Sequence, residues 1–374
     1  MPLTLRIEKV VHGGLFLARP EGKVVMTTGA LPGELVEVEV IEEKKNFVLA
    51  RTTKVLEPSP HRVVSPGEEL GRAKDSIDFG HANLDYQRDL KHQVLAEALE
   101  RTGGLSAVAK IQAADETGLS YRTRVQLHAD SKGRLGVRVP RSHDHVRISS
   151  HPLARPEINE SGLLKERYEP GSRVQISLDS LGQVSTGLEK LPLIQNAGSR
   201  KFKLPTGVFW QAHFAAPEIL LSEVMGHLAA DQGEVLDLYS GAGLFAANIA
   251  ASQPGAKVVA VESDRAATKS GVSSASDLVN LSFLTSDVLA YLRKREEPIE
   301  TVVLDPPRSG ASGKVIAEIT RLAASRIVYV ACDPVALARD LGTLTQSGYQ
   351  LDSIQGYDIF PQTHHFETVA VLCK

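Results

Sequence analysis

Cysteine is nearly missing from this chain: Cys332 and Cys373 are its only two in 374 residues. So few exclude a disulfide framework and any cysteine-built zinc site, and they suit a reducing compartment, here expected to be the cytoplasm. Missing too is any uncharged apolar run of about 18 residues, which argues against a membrane-spanning helix. The opening Met1–Glu8 alternates like a strand and lacks the shape of a signal peptide. There is no internal repeat and no low-complexity segment. Nor is there a large net charge, since 42 Lys and Arg face 45 Asp and Glu, and the chain as a whole is no polycation. What remains is an apolar fraction of 42%, enough for a sizeable core. The length suits roughly two to three domains.

Charge is uneven along the chain. Between Arg101 and Arg155 lie Lys110, Arg122, Arg124, Lys132, Arg134, Arg138, Arg141 and Arg147, opposed only by Asp115, Glu116, Asp130 and Asp144. His128, His143, His145 and His151 fall in the same stretch. A local field of this kind suits a polyanion, although a solvated sheet face reads the same way.

The first segment, residues 1–58, reads as about five short strands punctuated by Gly13-Gly14 and Leu31-Pro32-Gly33. They include Lys23–Thr27, Glu34–Ile41, Phe47–Ala50 and Thr52–Leu56, and suggest a small β-barrel. A middle, mainly-β segment is expected over 59–200. It contains a helix over about 84–104, capped by Asp85, ended by Gly103-Gly104 and packed on the last domain. Over 201–374, strands alternate with helices: Val235–Leu238, Lys257–Glu262, Leu281–Leu284, Thr301–Asp305 and Arg326–Ala331, then a closing hairpin at Asp352–Phe360 and Glu367–Cys373. That alternation means an α/β, doubly wound, Rossmann-like sheet.

Open α/β sheets place ligands at strand ends, and here those ends carry glycine, acids and a cysteine. Gly241-Ala242-Gly243 follows the strand at Leu236-Asp237-Leu238, a tight turn that lets a ligand approach the backbone at a helix N-terminus. Glu262 closes the next strand, where an acid can accept both hydroxyls of a ribose. A nicotinamide dinucleotide and S-adenosylmethionine both fit so far. Asp237, placed in the turn, discriminates: it repels pyrophosphate and welcomes a methionine ammonium. Asp287 ends the third strand, where it can meet an adenine amine or simply cap the helix from Val288. Asp305-Pro306-Pro307-Arg308 ends the fourth with a rigid backbone and an acid able to orient cofactor or substrate. Cys332, before Asp333-Pro334, ends the fifth. It is either a buried small hydrophobe or a nucleophile.

In this order the pieces resemble the TRAM-domain RNA uridine-5 methyltransferases across nearly the whole chain. Gly13–Arg19 and Ala30–Glu34 look like the TRAM module. Ala331-Cys332-Asp333-Pro334 resembles the family's nucleophile motif, and Phe360–Thr368 the motif bearing its general base, Glu367. Phe209-Trp210-Gln211 resembles the Phe-x-Gln segment, so the resemblance assigns Gln211, Tyr239, Glu262 and Asp305 to the cofactor beside Gly241, Gly243 and Asp287. It implies S-adenosylmethionine as cofactor, structured RNA (tRNA or rRNA) as partner, and no membrane or obligate protein partner. Many relatives hold an iron–sulfur cluster through cysteines. Here Ser59–His81 has none and His151-Pro152 stands at the later position, so no cluster and no metal are expected. His213 and Leu244 stand where some members carry Asn.

The chemistry so implied explains the cysteine. Uracil C5 is a poor nucleophile until a thiolate adds to C6 and turns the ring into an enolate. A thiol with a free pKa of about 8.5 needs activation, by backbone amides at the strand end or by a cation such as Arg308. A base, Glu367 by motif, then removes the C5 proton, with His364 and His365 as rivals or uracil contacts. Three other readings stand beside this one: an NAD-dependent oxidoreductase, a non-catalytic RNA-binding protein with a degenerate methyltransferase domain, and a cytosine-5 methyltransferase.

Overall fold

The computed structural model describes residues 3–139, 144–187, 192–229 and 233–374; Arg141 and His143 of the basic stretch lie outside them. Residues 3–57 form a six-stranded sheet in the order Leu3–Arg6, Leu35–Glu43, Val48–Glu57, Val25–Thr28, Leu15–Ala18, Lys9–Val11. The first and last of these are consecutive in the chain. Ile7 N–H donates to the Glu34 carbonyl and Glu8 N–H to that of Leu17, so one bent segment closes the sheet on itself. The two strands read at Phe47–Ala50 and Thr52–Leu56 are one, Val48–Glu57. Arg51 interrupts the apolar pattern but is merely exposed, and no glycine or proline breaks the backbone there. The barrel core of Leu5, Phe16, Val36 and Val48 is completed by Phe79, Ala82 and Leu90 from beyond it.

Leu90 belongs to the helix Leu84–Ala98, which widens into a π-turn at Leu99–Gly103 and ends at Gly104 in the left-handed region. Its cap is Asn83, whose side chain accepts from Tyr86 N–H; Asp85 lies inside the first turn and pairs with Arg88 instead. The helix end packs on Pro334–Gln346 through Gly103 and Gly342. A Cβ on Gly342 would lie 2.6 Å from the Gly103 carbonyl oxygen, so the two backbones touch.

A five-stranded sheet follows, ordered His145–Arg147, Leu135–Arg138, Arg124–Ala129, Arg173–Leu178, Val184–Ser185. The hairpin Leu193–Ala197/Arg200–Leu204 and the helix Ala216–Gly226 come next; neither was anticipated from the sequence.

The last sheet has eight strands: Leu281–Thr285, Lys257–Glu262, Glu234–Leu238, Thr301–Leu304, Arg326–Ala331, Glu367–Cys373, Gln350–Asp358, Ile111–Ala113. Its first five are parallel; Glu367–Cys373 runs antiparallel between Arg326–Ala331 and Gln350–Asp358. Ile111–Ala113 comes from the middle of the chain and pairs parallel with Gln350–Asp358 at the edge. Alternate side chains feed two cores. Leu236, Val302 and Ile327 face one side, and Val235, Val303 and Val328 the other. Strand order reverses between Glu234–Leu238 and Thr301–Leu304, which puts a ligand crevice at the carboxyl ends of these strands.

Candidate active site

Three strand ends converge around Cys332. Arg326–Ala331 is buried almost throughout and delivers Cys332 to the carboxyl edge of the sheet. Asp333 then caps the helix Pro334–Gln346, accepting from Val335 and Ala336 N–H at 3.0 and 2.8 Å. The antiparallel partner Glu367–Cys373 is registered with Thr368 opposite Ala331, so the next pair outward is Cys332 opposite Glu367. On the other side Thr301–Leu304 delivers Asp305. Glu367 is only 5% exposed, and its Oε2 is buried without a hydrogen-bond partner.

This cluster is short of positive charge. Burial, aided by the neighbouring Glu367 and Asp305 charges and opposed by Arg308, pushes the Cys332 thiol up to about 12. Burial also raises Glu367 well above the ordinary carboxylate range, with Asp305 adding to it and Arg308 opposing. Asp305 itself is pushed up to about 7 by burial. Arg308 and the backbone amide at Cys332 both act to lower the thiol, the direction the sequence reading expects, while desolvation and two carboxyl neighbours act more strongly against them in the free protein.

The pocket over Cys332 has walls from three parts of the chain: Val11–Gly14 of the barrel, Phe79, Lys91 and Val94, and Arg308, Asp333, His364, His365 and Phe366. Sequence reasoning had missed the barrel turn and Lys91 as walls of this pocket. Only the adjacent glycines Gly13-Gly14 hinted at a close approach there. His12 Nε2 lies 3.3 Å from Asp333 Oδ2, joining that turn to the residue after the cysteine.

A second cleft opens at the strand-order reversal. Gln211, Tyr239, Gly241 and Asp305 line it, with Phe209, Trp210, Ser240 and Phe245. Tyr239 holds φ +61°, uncommon for a bulky residue and typical of functional turns. A Cβ on Gly241 would point into open space. Glu262 sits behind the turn, accepting from Gly241 N–H at 2.9 Å and from Asp264 N–H at 2.6 Å. Glu262 and two other anticipated residues stand off the lining. Gly243 backs onto Phe283, whose ring a Cβ would approach to 2.6 Å, and Asp287 caps the helix Val288–Lys294 through Ala290 N–H. Asp237 lies within its strand, fully buried, and not in the turn; Oδ2 accepts from Ala246 N–H at 2.9 Å while Oδ1 has no partner. Burial, aided by Asp305 and Glu262, pushes it up to about 8.

A cleft with Asp305 in its wall, Asp237 and Glu262 packed behind it and one buried carboxyl oxygen unpaired suits a ligand that brings positive charge. S-adenosylmethionine brings a sulfonium and an ammonium; pyrophosphate would add like charge. His213 has a different role from a cofactor contact: it is fully buried, bonded to Asp115 at 3.0 Å and stacked on Tyr121. Among the described residues no group of three or more His, Cys, Asp or Glu could hold a metal ion.

The family model for tRNA (Uracil-5-)-methyltransferase matches residues 189–374, and that for the TRAM domain residues 3–53. An uncharacterized RNA methyltransferase of Streptomyces coelicolor is 32% identical, over 98% of this chain and 92% of its own. One from Thermotoga maritima is 29% identical over 99% and 98%. The fold is that of the Pyrococcus abyssi tRNA (uracil-54, C5)-methyltransferase in complex with S-adenosyl-L-homocysteine, at a TM-score of 0.75 and 20% identity, covering 100% of this chain and 99% of that one. The agreement of barrel, sheet and near-full-length relatives places this chain in the TRAM-domain family of S-adenosylmethionine-dependent RNA (uracil-5-)-methyltransferases, enzymes that methylate a uracil in RNA.

Proposed function

We propose that the enzyme methylates C5 of a uridine in tRNA or rRNA through a covalent bond between Cys332 and uracil C6, with Glu367 as the base. The observation that carries this is the strand register ending at Ala331 opposite Thr368, which, continued by one residue, brings Cys332 to face Glu367. Gln211, Tyr239, Gly241, Glu262 and Asp305 would hold S-adenosylmethionine, with Gly243 and Asp287 shaping the turn and its far end. When bound, that cofactor supplies the methyl group that C5 takes as the carbon–sulfur bond breaks.

The residues do the rest. Cys332 as thiolate adds Sγ to C6, and the C5–C6 π pair moves onto C5 and the adjoining carbonyl. After C5 is methylated, Glu367 takes its proton, the pair left behind re-forms the double bond, and Sγ leaves. Positive charge arriving beside Asp305 lowers Cys332 and Glu367 together. Thiolate and carboxylate thus become more available with the cofactor in place. The target uridine must be flipped out of its stack to reach a pocket walled on three sides. The Pyrococcus protein is named for uracil 54 of tRNA, so a tRNA carrying that uridine is the first substrate to try. The reducing cytoplasm, where unpaired cysteines persist, is the proposed location; among the described residues no helix is long and apolar enough to cross a membrane.

The test is a pair of variants with labelled RNA on a denaturing gel. Cys332→Ala should lose both methylation and any covalent protein–RNA band. Glu367→Gln should accumulate a slow-migrating band whose RNA carries the new methyl group. Normal turnover by Glu367→Gln, or a band from Cys332→Ala, would overturn the assignment.

A further inference from the structure

Asp78 lies between the barrel and the helix Leu84–Ala98, 286 residues from its partner in the base-bearing motif. Its Oδ1 accepts from the His364 backbone N–H at 2.9 Å, and its Oδ2 pairs with His364 Nδ1. The His364 ring packs on His365 with centroids 3.8 Å apart. His365 Nε2 lies 3.4 Å from an Arg308 guanidinium nitrogen. Arginine only donates, so Nε2 must accept and His365 must be neutral with its proton on Nδ1. Four cationic or potentially cationic side chains face His365 from four elements: His364 beside it, Arg308 after Thr301–Leu304, Lys91 from Leu84–Ala98, and Arg122 before Arg124–Ala129. Together with burial they hold it down to about 3, so it remains an acceptor throughout the working range. Among the described residues Arg308 has no carboxylate within salt-bridge distance, and His365 is the one hydrogen-bond partner of its side chain. Gly14 of the barrel presses on the same spot. A Cβ there would collide with the Asp78 carboxylate and lie 2.9 Å from His364 Nδ1.

We propose that Asp78 is a positioning residue: its carboxylate fixes His364, and through the packed His364–His365 pair it aims Arg308 at the nucleophile. Arg308 is the cation that opposes the elevation of both Cys332 and Glu367, so its aim sets how readily the thiolate forms. The inference rests on Cys332 being the nucleophile, but its test needs neither RNA nor turnover.

Asp78→Asn keeps the size and an oxygen for the His364 N–H, but its amide cannot accept from Nδ1–H. The experiment follows the rate of iodoacetamide labelling of Cys332 in the whole protein at one mildly alkaline pH, with mass spectrometry separating it from Cys373. The Cys332 rate should fall threefold or more, the loss that a thiol raised by about half a pH unit gives, while the Cys373 rate is unchanged. In turnover assays kcat should fall with KM for RNA nearly unchanged. His364→Asn, which can still donate to Asp78 but offers no ring to His365, should give the same loss and serves where Asp78→Asn does not fold. An unchanged Cys332 labelling rate in a folded variant overturns the proposal, even where a lower melting temperature reveals a structural role. If Cys332→Ala still methylates, the nucleophile assignment fails, whatever Asp78 does to the labelling.

Discussion

Asp237 and Asp305 are carboxyl groups held protonated near neutrality, about 8 and about 7, because folding strips them of water without supplying a cation. Their folded values lie above the ordinary 3.8, so the stability tied to them is full below about pH 4 and is lost as pH rises through 7 and 8. A cationic ligand reverses that sign, since it favours the ionised forms. S-adenosylmethionine should therefore bind more tightly at pH 8.5 than at pH 6, and should release protons on binding near pH 7. Its thermal stabilisation of the protein should grow over the same interval. Calorimetry in two buffers of different ionisation enthalpy checks the proton release, and S-adenosylhomocysteine, without the sulfonium charge, should release fewer. Equal affinity and no proton release from pH 6 to 8.5 would mean that these carboxyl groups do not feel the cofactor.

The segment between Gln350–Asp358 and Glu367–Cys373 leads into Glu367, the proposed base, and the helix Leu84–Ala98 holds it in place. Gln87 and Gln362 exchange hydrogen bonds at 3.0 and 2.7 Å, with Gln362 in the left-handed region at φ +68°. Lys91 pairs with Asp358, both almost wholly buried, and donates to the Phe360 carbonyl at 3.1 Å. Removing one partner of such a pair strands the other charge out of water. Lys91→Met should cost about 3–5 kcal/mol, and Lys91→Met/Asp358→Leu should recover most of that. Urea unfolding midpoints decide it; a double variant as unstable as the single one would mean the loss is one of packing. None of these contacts was readable in the sequence, because they join positions far apart in the chain. The sequence does reveal the strand ends bearing Glu262, Asp305 and Cys332, where a buried apolar run stops at a polar residue, with proline directly after Asp305 and two residues after Cys332. The pairing of Cys332 with Glu367 depends on an antiparallel register that no local pattern encodes, so only the family resemblance joined them. The capping role of Asn83 was hidden by the more acidic Asp85 two residues on.

RNA recognition belongs to the molecule as a whole, because the net charge is −3 and attraction must come from where the cations sit. The basic stretch divides on folding. Arg124 is mostly buried, donates to the Val208 carbonyl at 2.7 Å and leaves its Nε unpaired, while Arg134 is tied to Asp130 at 2.7 Å; both are committed to the fold. Lys132, Arg138 and Arg147 are exposed, the last two on neighbouring strands at the edge of the five-stranded sheet. Each phosphate neutralised releases counterions, which steepens the fall of affinity with salt by about 0.7 for a single strand and 0.9 for a duplex. Arg138→Ala/Arg147→Ala should weaken RNA binding and flatten the slope of log affinity against log salt by about 1.5. Affinity for S-adenosylmethionine and the melting temperature should stay unchanged. Arg124→Ala should instead destabilise the protein. Filter binding across a salt series separates the outcomes. An unchanged slope in the edge variant would move the RNA path off this sheet, leaving the barrel turn Val11–Gly14 and the mouth of the Cys332 pocket as its grip.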